Sequence, residues 1–306
     1  MISQNNQIKK ITKALTLTFL FTCVAQAEPP QNKKDLTHEF TVGLESLRYH
    51  YGESIPNTLN LMQLNGTHFG ISAAYQMTYK DVFVRPELRW VYGHTDYTNG
   101  RKGSESERDK IPSMIIEPRL LVGIPLKATS NMTIAPYSGI GWRYKRDDCV
   151  DDINKFSGWS GWNRINKSWY IPLGARLQYD LNDRWDLRVF LEYDWFIRGR
   201  QSTYHREQIF PNYRMEYIPA TIVYKQKEGW GAKAEMLVGY RFDKVAVAFG
   251  PFINFWHIQK SSFAPITTRV KFSRALGGRS HDGHDPNSYE PNNTTKEIGL
   301  KVNFYF

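Results

Sequence analysis

The sequence lacks a long apolar run. After residue 24, no stretch approaches the roughly 20 consecutive apolar residues that a membrane-spanning helix needs. This absence excludes a helical membrane protein. Charged residues make up 23% of the chain, so composition alone decides little, and the arrangement of the residues has to be read instead.

The first 27 residues contain three lysines and no acidic residue, followed by an apolar run at 14–24 and the tripeptide Ala-Gln-Ala at 25–27. This order is typical of a secretory signal peptide. We therefore predict a signal peptide at 1–27 and a mature chain at 28–306.

Cysteine is scarce, with only Cys23 and Cys149 in the chain. Cleavage after residue 27 leaves Cys149 alone, and a single cysteine forms no internal disulfide. The mature protein therefore gains no cross-link from an oxidising compartment.

Aromatic residues are abundant, with 9 Trp, 18 Tyr and 17 Phe. Ten segments also alternate apolar and polar residues with a period of two, as strands do when their two faces meet different surroundings. They lie at about 38–51, 69–79, 82–92, 114–124, 134–144, 169–179, 185–197, 232–242, 245–255 and 298–306. Trp and Tyr stand near the strand ends on the apolar face, where such rings favour the lipid headgroup layer. The pattern predicts an all-β fold, a closed antiparallel transmembrane β-barrel of about ten strands.

The connections between these segments alternate between tight and long. The tight ones are at 80–81, 128–131, 182–183 and 243–244, and the long ones are at 52–61, 95–112, 145–167, 198–230 and 259–295. This alternation predicts short periplasmic turns and long extracellular loops. An alternative of twelve strands arises if loop 198–230 contains a further hairpin that starts at Tyr213, Met215 and Tyr217.

Together, the signal peptide, the alternating strands, the two unlike rims and the final aromatic residue resemble the bacterial outer-membrane β-barrel class over the whole mature chain. The resemblance implies the outer membrane of a Gram-negative bacterium, with membrane lipid and lipopolysaccharide as neighbours. It also implies that the barrel-assembly machinery reads the last strand with Phe306 as an assembly signal.

The face opposite the apolar one carries charges of both signs and should point into the lumen. The predicted lumen network consists of Arg85, Glu87, Arg89, Glu117, Arg119, Arg176, Arg188, Glu192, Asp194 and Glu235, with Asp186, Lys233, Arg241, Glu297 and Lys301 on the same face. A barrel of ten strands is only slightly wider than the eight-stranded ones that side chains fill. Two interpretations follow: a core of paired charges, or a narrow channel for small charged solutes lined by both signs.

The length of the chain resembles that of the omptin proteases, a ten-stranded family. The resemblance implies a site of two aspartates facing an Asp-His couple, which together activate a water. Here His94 and Asp96 stand in the second loop without paired aspartates, and His205 and Glu207 stand in the fourth loop without an aspartate. Both halves of the motif depart from the family pattern, so we do not predict a protease.

The remaining loop features suggest surface contacts. His281, Asp282, His284 and Asp285 form a candidate metal cluster, although polar loops often collect such residues without binding metal. The fourth and fifth loops are net basic, which suits lipopolysaccharide phosphates. No recognised nucleic-acid module is present.

We therefore predict an outer-membrane barrel with an occluded, charged lumen and a structural or surface-interaction role. It has no predicted cofactor, and its loops are expected to meet host or environmental ligands. The alternatives are a narrow channel and, third, a hydrolase at the rim.

Overall fold

The structure is a computed structural model. It describes residues 36–55, 62–99, 108–148, 162–205, 208–210, 215–218, 221–264, 266–272, 280–285 and 288–306. The predicted signal peptide at 1–27 lies outside these residues, as does Cys149. Within the described part of the chain, no helix is long and apolar enough to cross a membrane.

All regular elements in the described residues are strands. In chain order they are β1 (Leu36–Ser54), β2 (Met62–Tyr79), β3 (Val82–Asn99), β4 (Arg108–Gly123), β5 (Leu126–Thr129), β6 (Met132–Asp148), β7 (Trp162–Asp180), β8 (Trp185–His205), β9 (Gln208–Phe210), β10 (Met215–Ile218), β11 (Thr221–Gln226), β12 (Gly229–Arg241), β13 (Ala246–Ile258), β14 (Ile266–Phe272), β15 (Ser280–Asp285) and β16 (Asn292–Tyr305). For β9, β10, β14 and β15 only the backbone is described.

Twelve of these strands form one closed antiparallel sheet, in which β16 pairs with both β13 and β1. The short β5 continues β4 along β6, and β11 continues β12 along β8. Without these two extensions, the sheet has ten strands that run the length of the barrel, here called staves. This confirms the predicted ten-stranded barrel. Closure removes both sheet edges, so every stave has two hydrogen-bonded neighbours.

One rim carries tight turns. The β2–β3 turn is Lys80–Asp81, with Lys80 at φ 53°, in the left-handed region that hairpin turns use. The other turns on this rim lie at 130–131, 181–184 and 242–245. This is the short periplasmic rim of the predicted arrangement.

The opposite rim carries more regular structure than predicted. The strands reach into the predicted loops, so that 95–99 belong to β3 and 145–148 to β6. The predicted loops 198–230 and 259–295 contain β9, β10, β14 and β15, which form a separate four-stranded sheet in the order β15-β14-β10-β9. The strand Met215–Ile218 therefore exists, but it pairs with β9 and β14. The twelve-stave alternative is wrong, because this strand is not inserted into the barrel.

The outer wall shows the apolar band that a bilayer requires. Outward-facing Leu88, Leu191, Met236 and Leu300 are about half exposed in the isolated chain. Aromatic rings cluster toward both ends of the staves, including Trp142 packed on Trp169 at 6.4 Å and, at the other end, Trp185 on Tyr240 at 4.8 Å. At the short-turn rim, Phe306 exchanges two backbone hydrogen bonds with Phe40 and closes the barrel there.

The staves are longer than the bilayer needs, and their polarity inverts toward the long-loop rim. A spanning strand takes about 9–11 residues, whereas β1 has 19 and β8 has 21. In the upper part of β1, Leu47 and Tyr49 point inward and are buried, while Arg48 is exposed. The barrel therefore extends above the membrane with polar residues on its outer face, and both apolar residues and charged ones such as Lys145 and Asp147 are buried inside it.

Candidate functional site in the barrel lumen

Glu117 lies at the centre of a charge network that fills the middle of the lumen. Its side chain is 2% exposed. Lys233 Nζ lies 2.8 Å from Glu117 Oε1, Arg143 Nη1 lies 3.1 Å from Oε2, and the Tyr170 hydroxyl donates to Oε1 at 2.5 Å. Arg143 lies on the neighbouring strand β6 and Tyr170 on the next strand β7, whereas Lys233 on β12 reaches Glu117 across the lumen. A fully buried carboxylate is stable only with such partners.

Glu297 is a second centre, and its side chain is fully buried. Arg89 Nη2 lies 2.7 Å from Glu297 Oε2, and Arg143 Nη2 lies 2.5 Å from Oε1. Asn254 Nδ2 donates to Oε2 at 3.1 Å. Arg143 therefore bridges the two carboxylates.

Glu87 is a third centre, at which three arginines converge. Arg85 Nε lies 2.7 Å and Arg176 Nη2 2.8 Å from Glu87 Oε1, and Arg119 donates to Oε2. Arg119 also reaches Glu192 with its Nη1 at 2.6 Å. Charge-assisted bonds to guanidinium groups make this the most highly connected carboxylate on β3.

The same network continues through Glu192, Asp194, Glu45 and Glu235. Lys233 Nζ lies 3.0 Å from Glu192 and 3.4 Å from Asp194, both on β8. Arg89 Nη2 lies 2.6 Å from Glu45.

The network contains about as many cations as carboxylates. Its cations are Arg85, Arg89, Arg119, Arg143, Arg176, Lys233 and Lys301, and its buried or nearly buried carboxylates are Glu45, Glu87, Glu117, Glu192, Asp194, Glu235 and Glu297. Glu39, whose side chain is 40% exposed, adds a further carboxylate at Arg85. A cavity of about 100 Å³ remains between them, lined by Ser72, Arg85, Glu87, Arg176 and Tyr305 among others.

Above the network, toward the long-loop rim, an apolar layer packs inside the barrel against β1–β4 and β13. It consists of Leu47, Tyr49, Tyr51, Met62, Leu64, Val91, Ile111, Ile115 and Phe252, all at most 5% exposed. The ammonium group of Lys145 lies 4.0 Å from the centre of the Tyr51 ring and 3.0 Å from Asp147 Oδ2. This layer and the network occupy two successive levels along the barrel axis.

A buried carboxyl pair lies at the long-loop end of this layer. The Tyr51 hydroxyl donates to Glu53 at 3.0 Å and lies 3.3 Å from Glu290 Oε1. Arg164 pairs with Glu53 and lies 3.9 Å from Glu290. Glu290 belongs to the segment before β16, and burial, reinforced by the Glu53 carboxylate, raises its pKa to about 8.

The structure brings nine of the ten predicted lumen residues into the central network. The exception is Arg188, which lies near the short-turn rim, pairs with Asp186 at 2.7 Å and stacks on the Tyr305 ring at 3.9 Å. Arg241 joins Asp186 there at 3.2 Å. Glu45 and Arg143 were not among the predicted lumen residues. Both stand on the inward-facing side of the alternation in their strands, and this position is the sequence signal that assigns them to the lumen.

The other candidate residues do not form a site within the described part of the chain. His94 and Asp96 lie on β3 and not in a loop, and both are exposed on the outer side. The side chain of His205, all of Glu207 and the side chains of His281, Asp282, His284 and Asp285 lie outside the description. Among the described residues, no group of three metal-ligating side chains is present.

Comparison with known proteins identifies the fold. No family model matches the chain, and no curated protein matches it in sequence. Among solved structures, the outer-membrane protease OmpT from Escherichia coli matches with a TM-score of 0.54 at 11% identity, covering 91% of this chain and 99% of OmpT.

Two further structures are more distant. The Pseudomonas putida toluene transporter TodX matches with a TM-score of 0.34 at 11% identity, and 90% of each chain is covered. The translocator domain of the autotransporter NalP from Neisseria meningitidis matches with a TM-score of 0.35 at 9% identity, covering 97% of this chain and 96% of that one. The likeness to OmpT and the closed sheet of ten strands show that the chain has the fold of a bacterial outer-membrane β-barrel. This confirms the predicted fold class, and the predicted localisation in the outer membrane agrees with this fold.

Proposed function

We propose that this protein is an outer-membrane barrel with a closed lumen, which serves a structural or surface-interaction role. The observation that carries the proposal is the burial of side chains at two successive levels inside the barrel. Glu297 and Asp194 have fully buried side chains in the ion network, and the residues of the apolar layer above them are at most 5% exposed. Charges that pair with one another and an apolar layer both hinder the passage of a hydrated ion.

A narrow channel is the competing function, and the small cavity inside the network is the feature that favours it. A cavity of about 100 Å³ holds a few waters but is bounded by ion pairs on several sides. We therefore assign it to local hydration of Arg85 and Arg176.

Planar-bilayer recording of the refolded mature chain tests the closed lumen. We expect no steady conductance from the wild type. A variant with an opened apolar layer, Tyr51→Ala with Phe252→Ala, serves as the matched comparison, since both side chains belong to that layer. Steady wild-type conductance with defined ion selectivity would establish the channel instead.

OmpT, which has a similar fold, is a protease. The described residues of this chain do not support the same activity. His94 and Asp96, the pair closest to an Asp-His couple, face away from the lumen. Incubating the folded protein with a peptide library checks this directly. Cleavage that is lost in the variant His94→Ala with Asp96→Asn would replace the structural role by an enzymatic one.

A further inference from the structure

Three cations form a row on the outer wall near the long-loop rim. Register pairs Lys167 on β7 with Arg200 on β8, and Arg200 with Lys225 on β11. All three side chains are exposed, whereas the neighbouring Gln201 and Gln226 point inward and are buried. The row is therefore continuous across three adjacent strands on the outside of the barrel.

These cations have no partner of opposite sign in the described part of the chain. The lumen cations have carboxylates nearby, and the outward Arg146 pairs with Asp148 at 2.6 Å. By contrast, no described carboxylate lies within ion-pair distance of the row. Like charges directly opposite each other on neighbouring strands are destabilising, so an anion between them would relieve their repulsion.

The row stands at the height of lipid phosphates. On β7 the outward aromatic residues Trp169 and Tyr179 mark the two ends of the apolar band. They are ten residues apart, which corresponds to roughly 33 Å along the strand and to about 25 Å across the bilayer at a usual strand tilt. Lys167 lies two residues beyond Trp169, one step above the upper aromatic ring.

A groove of about 760 Å³ lies below the row on the same wall. Its outward lining includes Leu173, Ala175, Leu191, Tyr193, Ala232, Ala234, Ile253 and Phe255, and Tyr137, Gly174, Glu192 and Lys233 also border it. Register places Ala232 beside Tyr193 and Ala234 beside Leu191, so small side chains form the bottom of the groove between large ones. Outward Ile171 and Trp195, which are paired in register, lie between the groove and the cations.

We propose that this wall binds one phosphorylated, acylated lipid of the outer leaflet. Its phosphate lies on Lys167, Arg200 and Lys225, and one acyl chain lies in the groove. The headgroup is selected because its negative charge complements the three cations. The groove, whose bottom is formed by alanine side chains, holds the acyl chain in one defined place. The inference rests on the proposed outer-membrane role, but it is independent of whether the lumen conducts.

Lipid titration followed by native mass spectrometry tests the site on the folded, detergent-solubilised protein. The probe is diphosphoryl lipid A, compared with the same lipid after phosphate removal. We expect Lys167→Gln with Arg200→Gln and Lys225→Gln to raise the Kd for lipid A at least tenfold. We expect Ala175→Leu with Ala234→Leu, which fills the groove and leaves the charges intact, to raise it about tenfold, the equivalent of one or two displaced methylenes.

The matched control removes outward cations from the other side of the barrel, Arg48→Gln with Lys296→Gln, and should bind like the wild type. Circular dichroism verifies that each variant is folded. Equal affinity of the wild type and the triple-Gln variant would overturn the proposal, and so would equal affinity for the phosphate-free lipid. Full competition by inorganic phosphate alone would show an anion site without a lipid groove, which also overturns it.

Discussion

Replacing Glu87 by Gln should leave one arginine in the lumen without a counter-ion. Glu87 contacts Arg85, Arg119 and Arg176. Arg85 keeps Glu39 at 3.1 Å, and Arg119 keeps Glu192 at 2.6 Å. Arg176 has no second carboxylate among the described residues. It retains the Gln76 side-chain oxygen, at 3.1 Å, and the Phe83, Tyr137 and Phe190 rings, whose centres lie 5.2–5.7 Å from its guanidinium carbon.

Breaking a buried ion pair by removing one partner costs about 3–5 kcal/mol, because the other charge stays buried and uncompensated. The Glu87 and Arg176 side chains are 14% and 16% exposed and border the cavity, so we expect about 3 kcal/mol, at the low end. Arg176→Gln alone should cost only about 1 kcal/mol, since Glu87 keeps two arginines. The double variant should also lie within about 1 kcal/mol of the wild type, which gives a coupling energy of about 3 kcal/mol.

Urea unfolding in lipid vesicles, followed by tryptophan fluorescence, measures the four stabilities. The control cycle uses Arg146→Gln and Asp148→Asn, an outward pair at 2.6 Å whose side chains are 42% and 29% exposed. Its coupling should stay below about 1 kcal/mol, as solvent screens exposed pairs. If the coupling between Glu87 and Arg176 is equally small, then the lumen charges are hydrated and the reasoning for a closed lumen fails.

Two further predictions concern the wall and the long-loop rim. Leu191→Arg on the outer face should cost about 2–4 kcal/mol near the bilayer midplane, and Phe190→Arg should cost less, because position 190 faces inward opposite Glu235; equal costs in the same unfolding assay would refute the assignment of faces. Burial raises the pKa of Glu290 to about 8. Its protonated carboxyl should therefore stabilise the fold fully below the ordinary carboxyl pKa. This contribution should be lost as the pH rises through about 8, by up to roughly 1.4 kcal/mol per pH unit. Glu290→Gln should flatten that part of the pH profile of unfolding, and an unchanged slope would assign the effect to another group.

The faces of the strands could be predicted from the sequence, because a period of two leaves one residue in each pair on each side. Parity alone also assigns Glu45 and Arg143 to the lumen. The partners could be predicted only in part. Neighbouring strands predict that Arg119 pairs with Glu87 and Arg89 with Glu117, and both ion pairs form, the second at 3.5 Å. Lys233, from the opposite wall, lies closer to Glu117, at 2.8 Å, and this contact could not be predicted. In a barrel this narrow, side chains from opposite walls meet, and the sequence carries no direct signal of that distance.

The extent of the strands beyond the membrane was also not predictable from alternation. Above the bilayer both faces change character, so that Leu64 points inward and is buried while the adjacent Asn65 is exposed. The alternation keeps its period of two there, but its apolar residues now face the lumen and its polar residues face outward. The sequence pattern therefore predicts a loop at these positions, where the structure has strand. Only the register, such as Asn65 opposite Asp96, shows that the ladder continues.

The charged lumen also explains why the chain contains no long apolar run. Buried ion pairs add little net stability compared with apolar side chains of the same size, so stability alone does not account for so many charges of both signs. On β8 the inward residues Asp186, Arg188, Glu192 and Asp194 interrupt the outward apolar series between residues 185 and 197. Apolar substitutes at these positions would turn the strand into an uninterrupted apolar segment, and equivalent changes in every stave would bring the chain closer to the composition of a helical membrane protein. The inward charges keep each strand half polar before the barrel closes. Once the barrel has closed, these charges pair with one another, so the same residues can be buried.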